Sequence, residues 1–178
     1  MNFDPDKHHR RSIRLKGYDY SQPGAYFVTI ATHQRQEIFG EIRSGEMRLS
    51  PLGEIVSHAW YDLPNHYINI TLDAFIIMPN HVHGVIVING ESVGAGLQNG
   101  HQAETVPHSI SDRAHSATGK TRPYPIRRSP GLPEIVRAFK TFSARRVNAR
   151  RGTPGTPVWQ RNYYEHIIRN QAELDAIR

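Results

Sequence analysis

Two histidines separated by a single valine are the residues of this sequence best suited to chemistry. His81 and His83 open an apolar run, and alternate residues of a β-strand project to the same face of a sheet. Two imidazoles at that spacing can share one divalent cation, with Gly84 leaving room for a close approach beside them. The alternative is a half-buried pair that is bonded to backbone carbonyls. A metal site also needs a third protein donor from elsewhere in the chain.

The amino-acid composition excludes several other kinds of site. The 178 residues include no cysteine, which rules out disulfides, thiolate zinc fingers, iron–sulfur ligation and a cysteine nucleophile. Histidine, carboxylate and hydroxyl groups must therefore carry any chemistry. No apolar run approaches the roughly 18 residues that cross a bilayer, and no apolar segment follows the charged N-terminus. We expect one soluble, cytoplasmic domain without a membrane partner.

Positive charge is concentrated in one part of the chain. The net charge is +6, most basic residues are arginine, and between Arg113 and Arg151 eleven basic residues face a single acid, Glu134. Guanidinium groups bind phosphate in a bidentate way and stack on bases, so this pattern favours a nucleic-acid partner over a merely solvated surface. The residues expected to contact the nucleic acid are Arg127, Arg128, Arg137, Lys140, Arg145, Arg146 and Arg161.

Strands and helices of an α+β fold must position these residues. Runs of β-branched and aromatic residues predict strands over residues 24–32, 46–49, 68–78, 81–88 and 158–169. Ser50 followed by Pro51 predicts a helix start, apolar spacing predicts a helix over residues 132–148, and Asn170 predicts the start of another. This order predicts a largely antiparallel sheet with helices packed on it. We expect a basic tail over residues 1–16 and a domain over residues 17–178, which a flexible loop interrupts at residues 90–130.

Five blocks of the sequence, in order, resemble those of a known protein family. They are residues 26–32 (YFVTIAT), 35–40, 74–84 (AFIIMPNHVHG), 135–140 and 159–169 (WQRNYYEHIIR). These blocks are similar to those of the single-tyrosine HUH transposases, in particular the REP-associated tyrosine transposases of bacteria. The resemblance covers about residues 17–178 apart from the 90–130 loop. It implies a ferredoxin-like α+β sandwich, in agreement with the order of the predicted elements.

The resemblance also implies a function. Members of the family cut single-stranded DNA beside a folded hairpin: a tyrosine hydroxyl attacks the scissile phosphodiester and leaves a 5′-phosphotyrosine link and a free 3′-OH. His81 and His83 match the family's metal ligands, which implies Mg²⁺ or Mn²⁺ as Lewis acid and template. The resemblance further implies hairpin DNA as the partner, a location at the bacterial nucleoid, and a homodimer as one assembly to consider.

The nucleophile is the part of the family pattern that these residues do not supply. In the family the catalytic tyrosine lies on the helix after the 159–169 block, with a polar metal ligand four residues later. Here that helix begins at Asn170 and the sequence ends at Arg178, so both residues are expected beyond this point, on a helix that is cut short. Tyr163 and Tyr164 are weaker candidates for the nucleophile, because they match an earlier block.

Two functions of other classes stay open at this point. A non-catalytic module for single-stranded nucleic acid would bind independently of metal and stack bases on aromatic residues. The candidates for that stacking are Tyr26, Phe27, Tyr163 and Tyr164. A histidine-ligated metallohydrolase would instead need a carboxylate near the histidine pair, and Asp73 is the acid closest to it in sequence.

Overall fold

The computed structural model describes residues 14–90 and 130–178. Most of the predicted basic tail and nearly all of the 90–130 loop, with Arg127 and Arg128, lie outside the described residues. The division of the chain into a tail, a loop and one domain therefore stays a prediction.

The described residues form six β-strands. They are β1 (Gly24–Ala31), β2 (Gly40–Arg43), β3 (Glu46–Leu49), β4 (Ile70–Met78), β5 (His81–Ile88) and β6 (Tyr164–Ile168). Four of them make an antiparallel sheet in the order β4-β5-β1-β6, whereas β2 and β3 form a separate hairpin. The predictions for β1, β3, β4 and β5 are confirmed to within two residues. The sequence did not predict β2, a strand of four residues that are mostly exposed.

The described residues also form four α-helices. They are α1 (Pro51–Tyr61), α2 (Leu63–His66), α3 (Leu132–Arg151) and α4 (Gln171–Ile177). Ser50 caps α1 as predicted, because its side-chain oxygen accepts the N–H of Gly53 at 3.2 Å. Helix α3 runs three residues further than predicted and ends at Gly152, whose φ of +67° favours glycine. Among residues 14–90 and 130–178, no helix has the length and apolar character needed to cross a membrane.

One face of the four-stranded sheet is covered by α1 and α3. Tyr26 of β1, Trp60 of α1 and Phe139 of α3 are fully buried in the core between these layers. Successive strand residues point to opposite faces, so His81 and His83 lie on the other face, which we call the open face. An antiparallel sheet with helices packed on it confirms the predicted α+β fold class.

Helix α4 links the two edges of this sheet. Asn170 caps the helix, since its side-chain oxygen accepts the N–H of Glu173 at 2.9 Å. The Glu173 carboxylate lies 3.4 Å from the His166 imidazole of β6. At the other end of the helix, Arg178 donates two hydrogen bonds to Asp73 of β4, at 2.9 and 2.6 Å. These contacts carry α4 from edge strand β6 to edge strand β4.

A β-bulge in β4 and a glycine in β5 shape the sheet under α1. β4 advances three residues from Leu72 to Phe75, whereas the paired stretch of β5 advances only two, from Ile86 to Gly84. Phe75 stacks on Trp60, with ring centroids 4.5 Å apart. A Cβ atom on Gly84 would collide with the same indole ring. The close approach predicted at Gly84 is therefore made by Trp60 of the core, on the face opposite the histidine pair and not beside it.

The last strand is shorter than the sequence predicted. Strand β6 begins only at Tyr164, and the preceding residues 158–163 make one isolated bridge, at Trp159. The ammonium of Lys140 donates to the carbonyl oxygens of Gln160 and Arg161, at 2.6 and 3.0 Å. Those two carbonyls are bonded to α3 instead of to a neighbouring strand, which explains the late start of β6.

Candidate metal centre

The side chains of His81 and His83 converge at the start of β5. Their Nε2 atoms lie 3.0 Å apart, and their ring planes meet at 84°. Phe27 of β1 stacks on the His83 ring, with centroids 5.4 Å apart. Both histidines are partly exposed on the open face. The structure thus brings the pair together on one face, as the strand spacing predicts.

A neighbouring side chain contacts the Nδ1 atom of each imidazole. The amide oxygen of Asn80 lies 2.7 Å from Nδ1 of His81, and because that oxygen only accepts, this Nδ1 carries the proton and Nε2 keeps its lone pair. The hydroxyl of Thr29 lies 2.8 Å from Nδ1 of His83, across the register between β1 and β5. Since Nε2 of His81 carries no proton, His83 donates from its Nε2 atom to that nitrogen at 3.0 Å, and the Thr29 hydroxyl donates to Nδ1 of His83. A cation between the two rings would take the place of the shared proton, and Thr29 would then accept from Nδ1 of His83.

Burial favours the neutral form of both imidazoles. It is the main cause that lowers the pKa of His81, and the nearby charge of Arg35 lowers it further. Burial also lowers the pKa of His83, with a further contribution from His81. Both rings are therefore neutral at pH 7, which is the form that binds a metal ion.

The two nitrogens fit one divalent cation. Neighbouring ligands of an octahedral ion with bonds of about 2.1 Å lie about 3.0 Å apart, and the two Nε2 atoms have that separation. In the part of the chain that the structure describes, no three His, Cys, Asp or Glu side chains gather as a metal site. Asp73, the carboxylate that a metallohydrolase would need, is instead bonded to Arg178. Among the described His, Cys, Asp and Glu side chains, this site therefore has two candidate metal ligands, His81 and His83.

A strained turn after β1 places Arg35 near the histidines. Gln34 and Arg35 both have a φ of +54°, in the left-handed region that residues other than glycine rarely adopt. Buried Thr32 holds this turn, because its N–H donates to the carbonyl oxygen of Asn80 at 2.9 Å. The Thr32 hydroxyl lies 3.0 Å from the same oxygen and 2.8 Å from the carbonyl oxygen of Gln36. The turn and the start of β5 are therefore fixed to each other.

The structure separates the two tyrosines considered as nucleophiles. Tyr164 is half exposed and lies in register with Thr29, which in turn pairs with His83, so all three share the open face. Tyr163 is partly buried beside α3, and burial raises the pKa of its hydroxyl. A raised pKa makes Tyr163 the poorer nucleophile. Tyr26 is fully buried, so the prediction that it stacks on bases is wrong.

The basic residues predicted to contact nucleic acid occupy different surroundings. Three of them line a groove between α3 and residues 156–163, which we call the α3 groove: Arg137, Lys140 and Arg161. Arg145 is exposed on α3, whereas Arg146 pairs with Asp62 at 3.2 Å, which offsets its charge. Arg127 and Arg128 belong to the stretch that is not described.

Sequence reasoning missed three residues around the histidine pair. Asn80 had a visible signal, since it precedes His81 directly and can reach its ring. Thr29 had none, because only the pairing of β1 with β5 brings it to His83. Arg35 also depends on the fold, because the left-handed turn sets its position.

Comparisons with known proteins identify a relative and a fold. No family model matches the chain. An uncharacterized protein of Haemophilus influenzae is 38% identical over 165 residues, which is 92% of this chain and 81% of the relative. The structure of a REP-associated tyrosine transposase bound to a REP hairpin matches 92% of this chain and 67% of that chain. The match has a TM-score of 0.50 and 14% identity, so it bears on the fold alone.

A second solved structure comes from Deinococcus radiodurans R1 and is provisionally assigned as a transposase. It matches 92% of both chains at 16% identity, but its TM-score of 0.46 adds nothing to the fold assignment. The first structural match and the element order both agree with the family that the five sequence blocks resemble. The chain therefore belongs to one family with the Haemophilus influenzae protein and has the fold of the REP-associated tyrosine transposases.

Proposed function

We propose that this protein is a transposase-type DNA strand-cleaving protein, which binds hairpin-forming single-stranded DNA and uses Mg²⁺ or Mn²⁺ at His81 and His83. One observation carries most of the proposal: two neutral imidazoles present their Nε2 atoms 3.0 Å apart on the open face of the sheet. The resemblance of the five sequence blocks and the shared fold point to the same function.

The residues around the pair suit the binding of a DNA phosphate. Asn80 and Thr29 orient the two rings through their Nδ1 atoms, so both Nε2 lone pairs can face a cation. A bound cation would act as a Lewis acid toward the phosphate oxygens. Arg35 lies close enough to lower the pKa of His81, and its guanidinium would pair with a phosphate oxygen. These residues would therefore position the scissile phosphate.

A tyrosine hydroxyl is the nucleophile that the resemblance implies. Between the two candidates within the described residues, Tyr164 has the better position, because it shares the open face with His83. Tyr163 has the raised pKa and lies beside α3. The resemblance itself favours a tyrosine that follows on the helix starting at Asn170, beyond these residues.

Metal binding and DNA binding can be measured on the 178-residue chain. We expect Mn²⁺ to bind with one site per chain, and His81→Ala or His83→Ala to abolish that binding in calorimetry. His58→Ala, an exposed histidine of α1, is the matched control and should leave it unchanged.

A fluorescein-labelled DNA hairpin with single-stranded flanks should bind more tightly with Mn²⁺ than with EDTA. Equal DNA binding in both buffers and in His81→Ala would favour the non-catalytic binding module instead.

A covalent adduct on a denaturing gel tests the nucleophile. The chain is incubated with Mn²⁺ and a hairpin oligonucleotide labelled on the 3′ side of the cleavage site, the side that keeps the 5′-phosphotyrosine link. An adduct that disappears in Tyr164→Phe but persists in Tyr163→Phe would assign the nucleophile to Tyr164. Metal-dependent DNA binding with no adduct would fit a nucleophile outside the 178 residues, as the resemblance implies.

A further inference from the structure

The α3 groove is a concave feature among the described residues that the proposed cleavage site does not use. It has a volume of about 760 Å³ and lies between α3 and residues 156–163. This volume is within the range of roughly 300–1,000 Å³ that is typical of small-molecule sites. The groove borders the helix that covers the face opposite His81 and His83, so it is a second surface of the molecule.

The walls of the groove combine apolar side chains with an excess of positive charge. The apolar part of the lining is formed by Val136, Ala144, Pro157, Val158, Trp159 and Tyr163. The charged part has four cations and one carboxylate: Arg14, Arg137, Lys140, Arg161 and Glu134. Arg14 pairs with buried Glu165 at 3.7 Å, which offsets its charge, so Arg137, Lys140 and Arg161 supply the excess. An apolar floor with a cationic rim suits a ligand that carries a flat ring and a phosphate, because each part meets complementary chemistry.

Lys140 makes the groove a fixed structure. Its ammonium is partly buried and donates to the backbone carbonyls of Gln160 and Arg161. An ammonium has three N–H groups, so one remains for a ligand in the groove. Trp159 adds a second tie, since its indole N–H donates to the hydroxyl of Ser143 on α3 at 2.9 Å. Both walls of the groove are therefore joined by hydrogen bonds before any ligand arrives.

Edge strand β6 is the boundary between the groove and the open face. Tyr163, just before β6, lines the groove, and the next residue, Tyr164, lies on the open face in register with Thr29. The two consecutive tyrosines therefore lie on the two surfaces that this edge separates. A DNA strand that passes around the edge would contact both surfaces.

We propose that the α3 groove binds one unpaired nucleotide of the single-stranded DNA, with the base against the apolar floor and the phosphate between Arg137 and Arg161. This inference rests on the proposed function and extends it to a base-binding site remote from the histidine pair. Arg137 and Arg161 are both exposed, so they can close on a phosphate from opposite walls. An acidic peptide would use the same cations but not the base-sized apolar floor, and the experiments separate these ligands.

Mononucleotides test the groove without any DNA cleavage. The probes are the four deoxynucleoside monophosphates, with 2-deoxyribose 5-phosphate as the ligand that lacks a base. We expect the mononucleotides to shift the Trp159 indole N–H resonance, and the sugar phosphate not to. Thr141→Phe puts a ring into the groove from an exposed position of α3 and should weaken binding about tenfold. Thr71→Phe, an exposed threonine of β4 at the opposite sheet edge, should have no effect.

A charge variant keeps the test decisive if Thr141→Phe fails to fold. Arg137→Gln removes a cation of the groove, and Arg150→Gln removes an exposed cation of the same helix outside it. Only Arg137→Gln should weaken mononucleotide binding, by several fold. Equal effects of the two variants, or equal binding of 2-deoxyribose 5-phosphate, would overturn the inference.

Labelled 12-residue oligonucleotides, intact or with one abasic site, connect the groove to DNA. The abasic site is moved along the strand, and we expect one of its positions to weaken binding to the wild type several-fold. In Thr141→Phe the intact strand and that abasic strand should bind equally. The groove inference would be overturned if Thr141→Phe still bound the intact strand more tightly than the abasic strand, or if polyglutamate displaced the oligonucleotide as well as a mononucleotide does. Neither outcome would affect metal-dependent hairpin binding, so the proposed function would stand. Mononucleotide binding without hairpin binding would overturn the proposed function and leave a nucleotide site in the groove.

Discussion

At the scale of single residues, Asn80 and Thr29 orient the histidine pair without being ligands of the proposed metal ion. A free imidazole can carry its proton on either nitrogen, and only one of these tautomers exposes an Nε2 lone pair. Asn80 enforces that tautomer in His81, whereas Thr29 permits it in His83. Metal affinity should therefore depend on Thr29 even though its hydroxyl points at the far nitrogen.

Replacing Thr29 tests this dependence. Thr29→Val keeps the shape and removes the hydroxyl, so we expect the affinity for Mn²⁺ to fall about tenfold. Thr71→Val, an exposed threonine of β4, is the matched control and should leave the affinity unchanged. Calorimetric titration with Mn²⁺ measures both. The same affinity in Thr29→Val and the wild type would show that the hydroxyl plays no part in orienting His83.

The sequence revealed the histidine pair but only part of its surroundings. His81 and His83 are two residues apart, so the geometry of one strand was enough to place them on one face. Thr29 lies in another strand. The position of Arg35 depends on a left-handed turn that contains no glycine and so could not be predicted from the residue types. Contacts that cross between strands need the register, which the sequence pattern alone did not supply.

At the scale of elements, the attachment of residues 158–163 to α3 depends on buried polar contacts. Trp159 donates its indole N–H to Ser143, and that hydroxyl donates in turn to the carbonyl of Phe139 at 2.6 Å. Lys140 binds the two carbonyls that follow Trp159. The sequence of this segment reads as a strand because of its aromatic residues, and these helix contacts override that preference.

Removing the Ser143 hydroxyl should destabilise the fold. Ser143→Ala leaves a buried indole N–H without its acceptor, at a cost of about 1–3 kcal/mol in the free energy of unfolding. Urea denaturation measures this cost. Ser57→Ala, a partly buried serine of α1, should change the stability by less than about 0.5 kcal/mol. A Ser143→Ala variant as stable as the control would mean that the indole finds another partner.

The contact between α4 and β4 should respond to acid. The two hydrogen bonds from Arg178 lower the pKa of Asp73 below its ordinary value of 3.8. The carboxylate therefore stabilises the folded state above pH 3.8, and this contribution is lost as the pH falls through the lowered pKa. Because both side chains are partly exposed, solvent screens the interaction and the effect on stability should be small. The gap in urea midpoint between wild type and Asp73→Asn should shrink from pH 7 to pH 2.5; a constant gap would contradict the pairing.

At the scale of the whole molecule, charge decides how DNA binding responds to salt. Arg137, Arg145 and Arg161 are exposed, whereas the charge of Arg146 is offset by Asp62. Each phosphate contact with a single strand contributes about −0.7 to the slope of log affinity against log salt. Three exposed arginines should therefore contribute about −2 to that slope.

A triple variant measures this contribution. Changing Arg137, Arg145 and Arg161 to Gln should make the salt slope of oligonucleotide binding shallower by about 2. Arg146→Gln should change the slope by less than any one of the three. Fluorescence anisotropy titrations at roughly 50 to 300 mM NaCl give the salt slopes of the triple variant and of Arg146→Gln. An unchanged slope in the triple variant would place the DNA contacts on other residues.

The pairing of β1 with β6 has a consequence for how the protein is made. Residues 25–29 along one edge of β1 pair with residues 164–168 of the last strand described, and Ala31 at the end of that edge accepts the N–H of Gln160 at 2.9 Å. During synthesis at roughly 5–20 residues per second, most of that edge of β1 stays unpaired until residues 164–168 have left the ribosome. An unpaired strand edge invites pairing with other chains. Nascent chains stalled before Tyr164 should therefore be the species most in need of chaperones.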